Sequence, residues 1–169
     1  MARPITAEDS VPVPEPGFRN PVSVRIALVA ALVSLFASVL SAPVPLLSVV
    51  WLVAGGFLAV YLYSRRTGLP LTFVSGVRMG WITGLFAFLP VLVLFTTGIV
   101  AISDQSASAE LVRQMQARGA GVDAEAALAV LRNPAGVIAM VVMFFVVFTL
   151  FPAIGGALGA KVFGSRSSR

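Results

Sequence analysis

Four long apolar segments dominate the chain, and each is long enough to cross a lipid bilayer as a helix. They cover about 22–42, 46–63, 80–102 and 134–164. A helix needs about 20 apolar residues to cross roughly 30 Å of hydrocarbon, because each residue adds about 1.5 Å. Of the 169 residues, 58% are hydrophobic and only 11% are charged, which excludes an ordinary water-soluble domain. The predicted fold class is all-α: a polytopic integral membrane protein with four transmembrane helices in an antiparallel bundle.

Prolines and glycines set the limits of these segments. Pro43 and Pro45 divide one uncharged run into the first two spans, because proline cannot continue a helix and restricts the residue before it. The stretch 64–68 closes the second span, and 69–79 is interpreted as an interfacial segment that leads into the third. The fourth span is longer than one straight crossing needs. We therefore expect it to tilt, to kink at Pro152 or to project beyond the membrane.

Residues 1–21 are predicted to form a disordered arm on the cytoplasmic side, ahead of a transmembrane domain at 22–169. The arm holds five of the eleven prolines and offers little apolar surface to bury. Its stretch 11–16 reads VPVPEP, which is interpreted as a solvated tail; the alternative is a polyproline peptide that docks in an aromatic groove. The first twenty residues also lack the apolar run of a cleavable signal peptide.

The segment 103–133, between the third and fourth spans, is predicted to form a helical hairpin over the bundle. Residues 106–118 are good helix formers, and the glycines that follow break that helix. Asp123 can cap a second helix that runs through Leu131. Two roles fit this hairpin, a cover for the helix ends or a binding surface for a partner.

Basic residues predict the orientation, because lysine and arginine are retained preferentially on the cytoplasmic side. With four spans, both termini and the connection between the second and third spans lie on the same side. That side holds nine basic residues: Arg3, Arg19, Arg25, Arg65, Arg66, Arg78, Lys161, Arg166 and Arg169. The segment 103–133 holds three, Arg113, Arg118 and Arg132. These counts predict a multi-pass protein of the inner (plasma) membrane with both termini in the cytoplasm and 103–133 outside.

Glycines recur every four residues in the last two spans. The third span carries Gly76, Gly80 and Gly84, and the fourth carries Gly155 and Gly159. In lipid there is little hydrophobic drive between helices, so close backbone contact at small residues becomes the means of association. These five glycines are therefore predicted to be helix-packing positions. The spacing does not say whether they pack within one chain, in a homo-oligomer or against another membrane protein.

Two prolines lie at similar depth in the third and fourth spans. Pro90 follows the sequence FAFL, and Pro152 follows FTLF. Both are candidate hinges, since proline removes a helical hydrogen bond. Paired breaks of this kind line substrate sites in some transporters, but transmembrane helices also carry proline without any such role.

The chain offers few groups for catalysis. It contains no histidine and no cysteine, so imidazole or thiolate metal sites and the usual activated nucleophiles are excluded. No ionisable residue lies within the four predicted membrane cores. We therefore predict no catalytic residue, no metal site and no cofactor.

The net charge of +5 lies at the ends of the spans, which favours anionic lipid over nucleic acid as the partner. Arg65, Arg66 and Arg78 are candidate contacts for lipid phosphates, although each can also extend to the head groups without a specific ligand. The predicted function is a non-enzymatic structural, assembly or accessory membrane protein. The alternative is a transporter or channel subunit for an uncharged or lipid-like solute, built on the proline-broken helices.

Overall fold

A computed structural model of the chain describes residues 15–41, 44–68, 71–102 and 124–164, together with residues 106, 109, 110, 113, 114 and 117. Its continuous helices are α1 (Pro21–Leu40), α2 (Pro45–Thr67), α3 (Phe73–Ile102), α4 (Ala124–Arg132) and α5 (Pro134–Gly164). The six separate residues are also helical, and no described residue lies in a strand. The predicted all-α class is confirmed.

Four of the helices in the described part of the chain, α1, α2, α3 and α5, are long and apolar enough to cross a membrane. Most of their surface is exposed, and large apolar side chains such as Phe36, Leu94 and Ile138 point outward. An outer surface of this kind suits lipid and not water. The four helices and their apolar outer surface therefore indicate a multi-pass membrane protein.

Proline and asparagine together begin two of the helices. Pro21 and Pro134 each occupy the first helical position, where the missing N–H costs no helical hydrogen bond. The Oδ1 atom of Asn20 accepts a hydrogen bond from the backbone N–H of Val22 at 3.0 Å. In the same way, Asn133 Oδ1 accepts from the N–H of Ala135 at 3.0 Å. The side chains thus satisfy donors that the first turn leaves free.

The third helix begins earlier than predicted. It starts at Phe73 and not near Gly80, so much of the supposed interfacial segment is helical. The reason is a local cap: Thr72 Oγ1 accepts a hydrogen bond from the N–H of Ser75 at 3.2 Å and donates to Ser75 Oγ at 2.9 Å. Upstream, α2 ends at Thr67 and is capped by Gly68, whose φ of 69° is a left-handed conformation that favours glycine.

Helices α2 and α3 form the centre of the packing. They contact each other, and both contact α1 and α5; the pair α3 and α5 shares the most extensive contact. The buried core lies mainly among the side chains of α1, α2 and α3, with Ala160 of α5 beside them, and Tyr63, Met79 and Ile82 are its largest fully buried members. Small residues such as Ala27 and Ala59 allow the helices to approach closely there.

The described end of the N-terminal arm packs against α3. The ring of Phe18 meets Trp81 edge to face, with centroids 6.1 Å apart, and lies 6.5 Å from Phe86. Asn20 Nδ2 donates a hydrogen bond to the hydroxyl of Tyr63 at 3.1 Å. Residues 15–20 belong to the segment that the composition predicts to be a disordered arm, but in the structure they form turns that pack against the bundle. Residues 1–14 lie outside the described residues.

The predicted hairpin is described mainly in its second half. Helix α4 matches the helix expected after Asp123, and it packs against the start of α5. The chain turns tightly between them, so that a methyl group on Gly136 would overlap the carbonyl oxygen of Val130. Most of the expected first helix, 106–118, lies outside the described residues.

Candidate functional site

The carbonyl group of Pro152 in α5 is the point where three long helices meet. Gly56 of α2 and Gly80 of α3 both lie against it. A methyl group on either glycine would overlap the Pro152 oxygen, and on Gly80 it would also lie 2.9 Å from the Cα of Ala153. Glycine is required at both positions because backbone meets backbone directly. This convergence leaves no space for a solute between α2, α3 and α5 at Pro152.

One helical turn away, a second backbone contact involves the carbonyl of Phe148, which receives no helical hydrogen bond because of Pro152. Pro152 has no N–H, so the carbonyl of Phe148, four residues earlier, lacks its helical hydrogen bond. Gly84 of α3 lies directly against that Phe148 oxygen. The Cα–H groups of a glycine are weak hydrogen-bond donors, and this contact offers partial compensation for the missing helical hydrogen bond.

The remaining candidate glycines continue the same contacts. Gly76 lies against the carbonyl of Gly156 and the methyl of Ala160, while Gly155 lies against the carbonyl of Val53 in α2. Gly159 makes a looser contact: a methyl there would stand 3.1 Å from the Cβ of Val60. Along α3, positions with higher residue numbers contact positions on α5 with lower residue numbers. Between α2 and α5, the residue numbers of the contacting positions increase together. All five predicted packing glycines therefore contact helices of their own chain.

A further glycine contact joins α1 to α2. A methyl group on Gly55 would overlap the hydroxyl of Ser34, which itself donates a hydrogen bond to the carbonyl of Ala30 at 2.7 Å. At the far end of the same pair, Trp51 Nε1 donates to Ser41 Oγ at 2.8 Å. The α1–α2 pair is thus joined by a small-residue contact near its middle and a polar contact at one end.

Hydroxyl groups inside the spans bond to their own helices. Ser34, Thr83 and Thr149 each donate to a carbonyl four residues earlier, over 2.7 to 3.0 Å. Back-bonding of this kind satisfies a buried hydroxyl without a bound solute. Ser23 differs, since its Oγ is fully buried and has no hydrogen-bond partner in the described part of the chain.

The two candidate hinge prolines lie in different surroundings. Pro152 is buried between α2 and α3, whereas Pro90 is exposed on the outer surface of α3. Both helices continue through their prolines. The matched depth seen in the sequence is therefore not a matched environment, and the two prolines do not line one common cavity.

The three candidate phosphate-binding arginines also separate into two groups. Arg78 Nη1 lies 3.3 Å from the carboxylate of Glu15, in a pair whose side chains are 57% and 79% exposed. Arg65 and Arg66, in the last turn of α2, instead border a groove of about 490 Å³ together with Arg25 of α1. The walls of this groove are apolar, formed by Ile26, Val29 and Leu62.

Sequence patterns identified most of these residues but not their partners. Gly56 was missed as a packing residue, although the adjacent Gly55–Gly56 pair in an apolar helix was an available signal. In the sequence, Arg25 contributes only to the number of basic residues that predicts the membrane orientation. No spacing rule links it to Arg65 and Arg66. The described residues hold no cluster of acidic side chains that could bind a metal ion.

Comparison with known proteins adds no further assignment. The chain matches no protein-family model, no curated protein and no solved structure.

Proposed function

We propose that this chain is a small integral membrane protein of structural, assembly or accessory type, without catalytic machinery. The observation that carries the proposal is the convergence of Gly56 and Gly80 on the Pro152 carbonyl. It commits the glycine faces of the central helices to internal packing. The outward surface that remains is apolar over all four spans, and it is the surface available to lipid or to another membrane protein.

The proposed location is the inner (plasma) membrane, with the four spans antiparallel and both termini in the cytoplasm. The distribution of basic residues supports this orientation. The order of contacts along α3 and α5 is what oppositely directed neighbours require. Helix α4 and residues near Ser106 would then lie outside, where they could cover the helix ends or meet a partner.

Orientation is tested with single cysteines, because the natural chain has none to interfere. Ser106→Cys should react with an impermeant thiol reagent added to whole cells, and Ser167→Cys should react only after the membrane is permeabilised. The reverse pattern contradicts the proposed topology.

The alternative function is a transporter or channel subunit for an uncharged or lipid-like solute. It requires a path through the bundle, and the contacts of Gly80 and Gly84 with α5 weigh against one between those helices. The test uses Thr83→Cys, since Thr83 is 1% exposed and lies in the same region. A closed interior predicts no reaction with a small aqueous thiol reagent, whereas labelling as fast as at Ser106→Cys favours the transport alternative.

The accessory role is tested by purification from native membranes. We expect the tagged chain, extracted in mild detergent, to elute as a complex of defined stoichiometry with another membrane protein. Isolation as a lone chain in several mild detergents and in lipid nanodiscs contradicts an accessory role.

A further inference from the structure

We propose that the seam between α1 and α2 binds one anionic phospholipid, with its phosphate on Arg25, Arg65 and Arg66 and one acyl chain along the apolar wall beyond them. This inference rests on the proposed placement of the four helices in a bilayer.

The charged end of the seam is built from two helices. Arg25 lies in the second turn of α1, while Arg65 and Arg66 lie in the last turn of α2. These positions are at the ends of the two spans, which is where lipid head groups lie. Guanidinium groups present planar sets of N–H donors that match phosphate oxygens, and two or three of them around one groove favour a phosphate ligand.

None of these three arginines forms an ion pair within the described part of the chain. Between Glu15 and Asp104 the sequence contains no aspartate or glutamate. Glu15 pairs with Arg78, which is the ion pair found in the described part of the chain. The positive charge at the α1–α2 seam is therefore available to an external anion.

An apolar groove continues from the charged end. A second concave region, of about 400 Å³, is lined along α1 and α2 by Val33, Trp51, Ala54, Leu58 and Tyr61, and also by Phe163 of α5. Its surface is almost entirely apolar, which suits an acyl chain and offers nothing to a polar solute.

The helical repeat places the two grooves on one seam. Val29 of the basic groove and Val33 of the apolar groove are four residues apart on α1, and Leu58 and Leu62 are four residues apart on α2. Residues at this spacing share a helix face. From Leu62 to Trp51 the rise is roughly 16 Å at 1.5 Å per residue, a length suited to an extended hydrocarbon chain. A phosphate at one end and an apolar track of this length match a phospholipid and not a free phosphate.

Native mass spectrometry of the full chain in detergent tests the site. The delipidated protein is titrated separately with phosphatidylglycerol and with phosphatidylcholine of identical acyl chains. We expect one phosphatidylglycerol to bind with an affinity about tenfold or more above that of phosphatidylcholine. Equal binding of the two lipids overturns the proposal.

A matched pair of charge variants locates the binding. Arg25→Gln, Arg65→Gln and Arg66→Gln combined should remove the preference for phosphatidylglycerol. The control combines Arg19→Gln, Arg132→Gln and Lys161→Gln, which removes the same charge from exposed positions outside the groove and should retain the preference. Equal loss in both variants would mean general charge attraction and would overturn the site. All six side chains are exposed, so thermal unfolding is expected to stay unchanged and verifies that each variant is folded.

The acyl-chain part has its own test. Ala54→Phe fills the apolar groove without a change of charge and should weaken phosphatidylglycerol binding. Inorganic phosphate at millimolar concentration should not displace the lipid; displacement, or unchanged affinity in Ala54→Phe, contradicts the acyl-chain contact. Failure of lipid binding in a protein that still purifies with its partner contradicts this site alone. Recovery of the chain in the soluble fraction without detergent would contradict the proposed function itself.

Discussion

Gly80 of α3 lies against the carbonyl oxygen of Pro152 in α5, so closely that a methyl group on Gly80 would overlap that oxygen. The opposing atoms are backbone atoms, which cannot move away as a flexible side chain can. The contact therefore depends on glycine, and Gly56 approaches the same oxygen from α2.

Gly80→Ala should destabilise the bundle by about 1–3 kcal/mol, because the added methyl must push α3 and α5 apart. The matched control is Gly98→Ala on the same helix, where the methyl meets no atom within 4 Å. That control should be neutral or stabilising by up to about 1 kcal/mol through helix propensity. Thermal unfolding in detergent measures both variants, and equal effects would contradict the assigned contact.

The two glycines of α5 should differ in their tolerance of alanine. A methyl on Gly155 would overlap the carbonyl oxygen of Val53, whereas a methyl on Gly159 would stand 3.1 to 3.2 Å from side-chain atoms of Val60. A side chain can shift by a few tenths of an ångström, and a backbone carbonyl cannot do so without moving its helix. We expect Gly155→Ala to lower the unfolding temperature clearly more than Gly159→Ala. The opposite order would show that Val60 is the less adaptable neighbour.

Replacement of the prolines should separate the buried one from the exposed one. Pro152→Ala removes a ring that is packed between α2 and α3, and it supplies an N–H that can donate to the Phe148 carbonyl. The added hydrogen bond is stabilising, but the lost packing of the buried ring outweighs it, so stability should fall by about 1–3 kcal/mol. Pro90→Ala alters an exposed position and should leave the unfolding temperature unchanged or raised. A larger loss from Pro90→Ala contradicts the assigned environments.

Ser23→Ala should stabilise the protein. The Ser23 hydroxyl is fully buried and finds no partner among the described residues, a state that costs about 1–3 kcal/mol. Alanine removes the unsatisfied group with little change in volume. The matched variant is Ser34→Ala, which removes a hydroxyl already bonded to the Ala30 carbonyl and should bring no such gain. Chemical unfolding of the two variants compares them, and a loss of stability in Ser23→Ala would indicate a partner for its hydroxyl.

Sequence reasoning reached most of the local structure, because local signals determine it. Proline at the first helical position and asparagine before it mark the starts of α1 and α5, and composition alone identifies four spans. The start of α3 was misplaced by about two turns, near Gly80 and not at Phe73. The signal that was overlooked is Thr72, whose hydroxyl caps the helix three residues ahead of Ser75.

Apolar length, the small-residue repeats and the distribution of charge were determined by the amino-acid order, because each depends on residues close together in the chain. The tertiary structure alone decided that Gly56 and Gly80 share the Pro152 carbonyl, that Pro90 faces outward, and that Arg25 joins Arg65 and Arg66 around one groove. These relationships join residues on separate helices. They depend on the rotation and depth at which each helix packs, and a repeat of four residues leaves both undetermined.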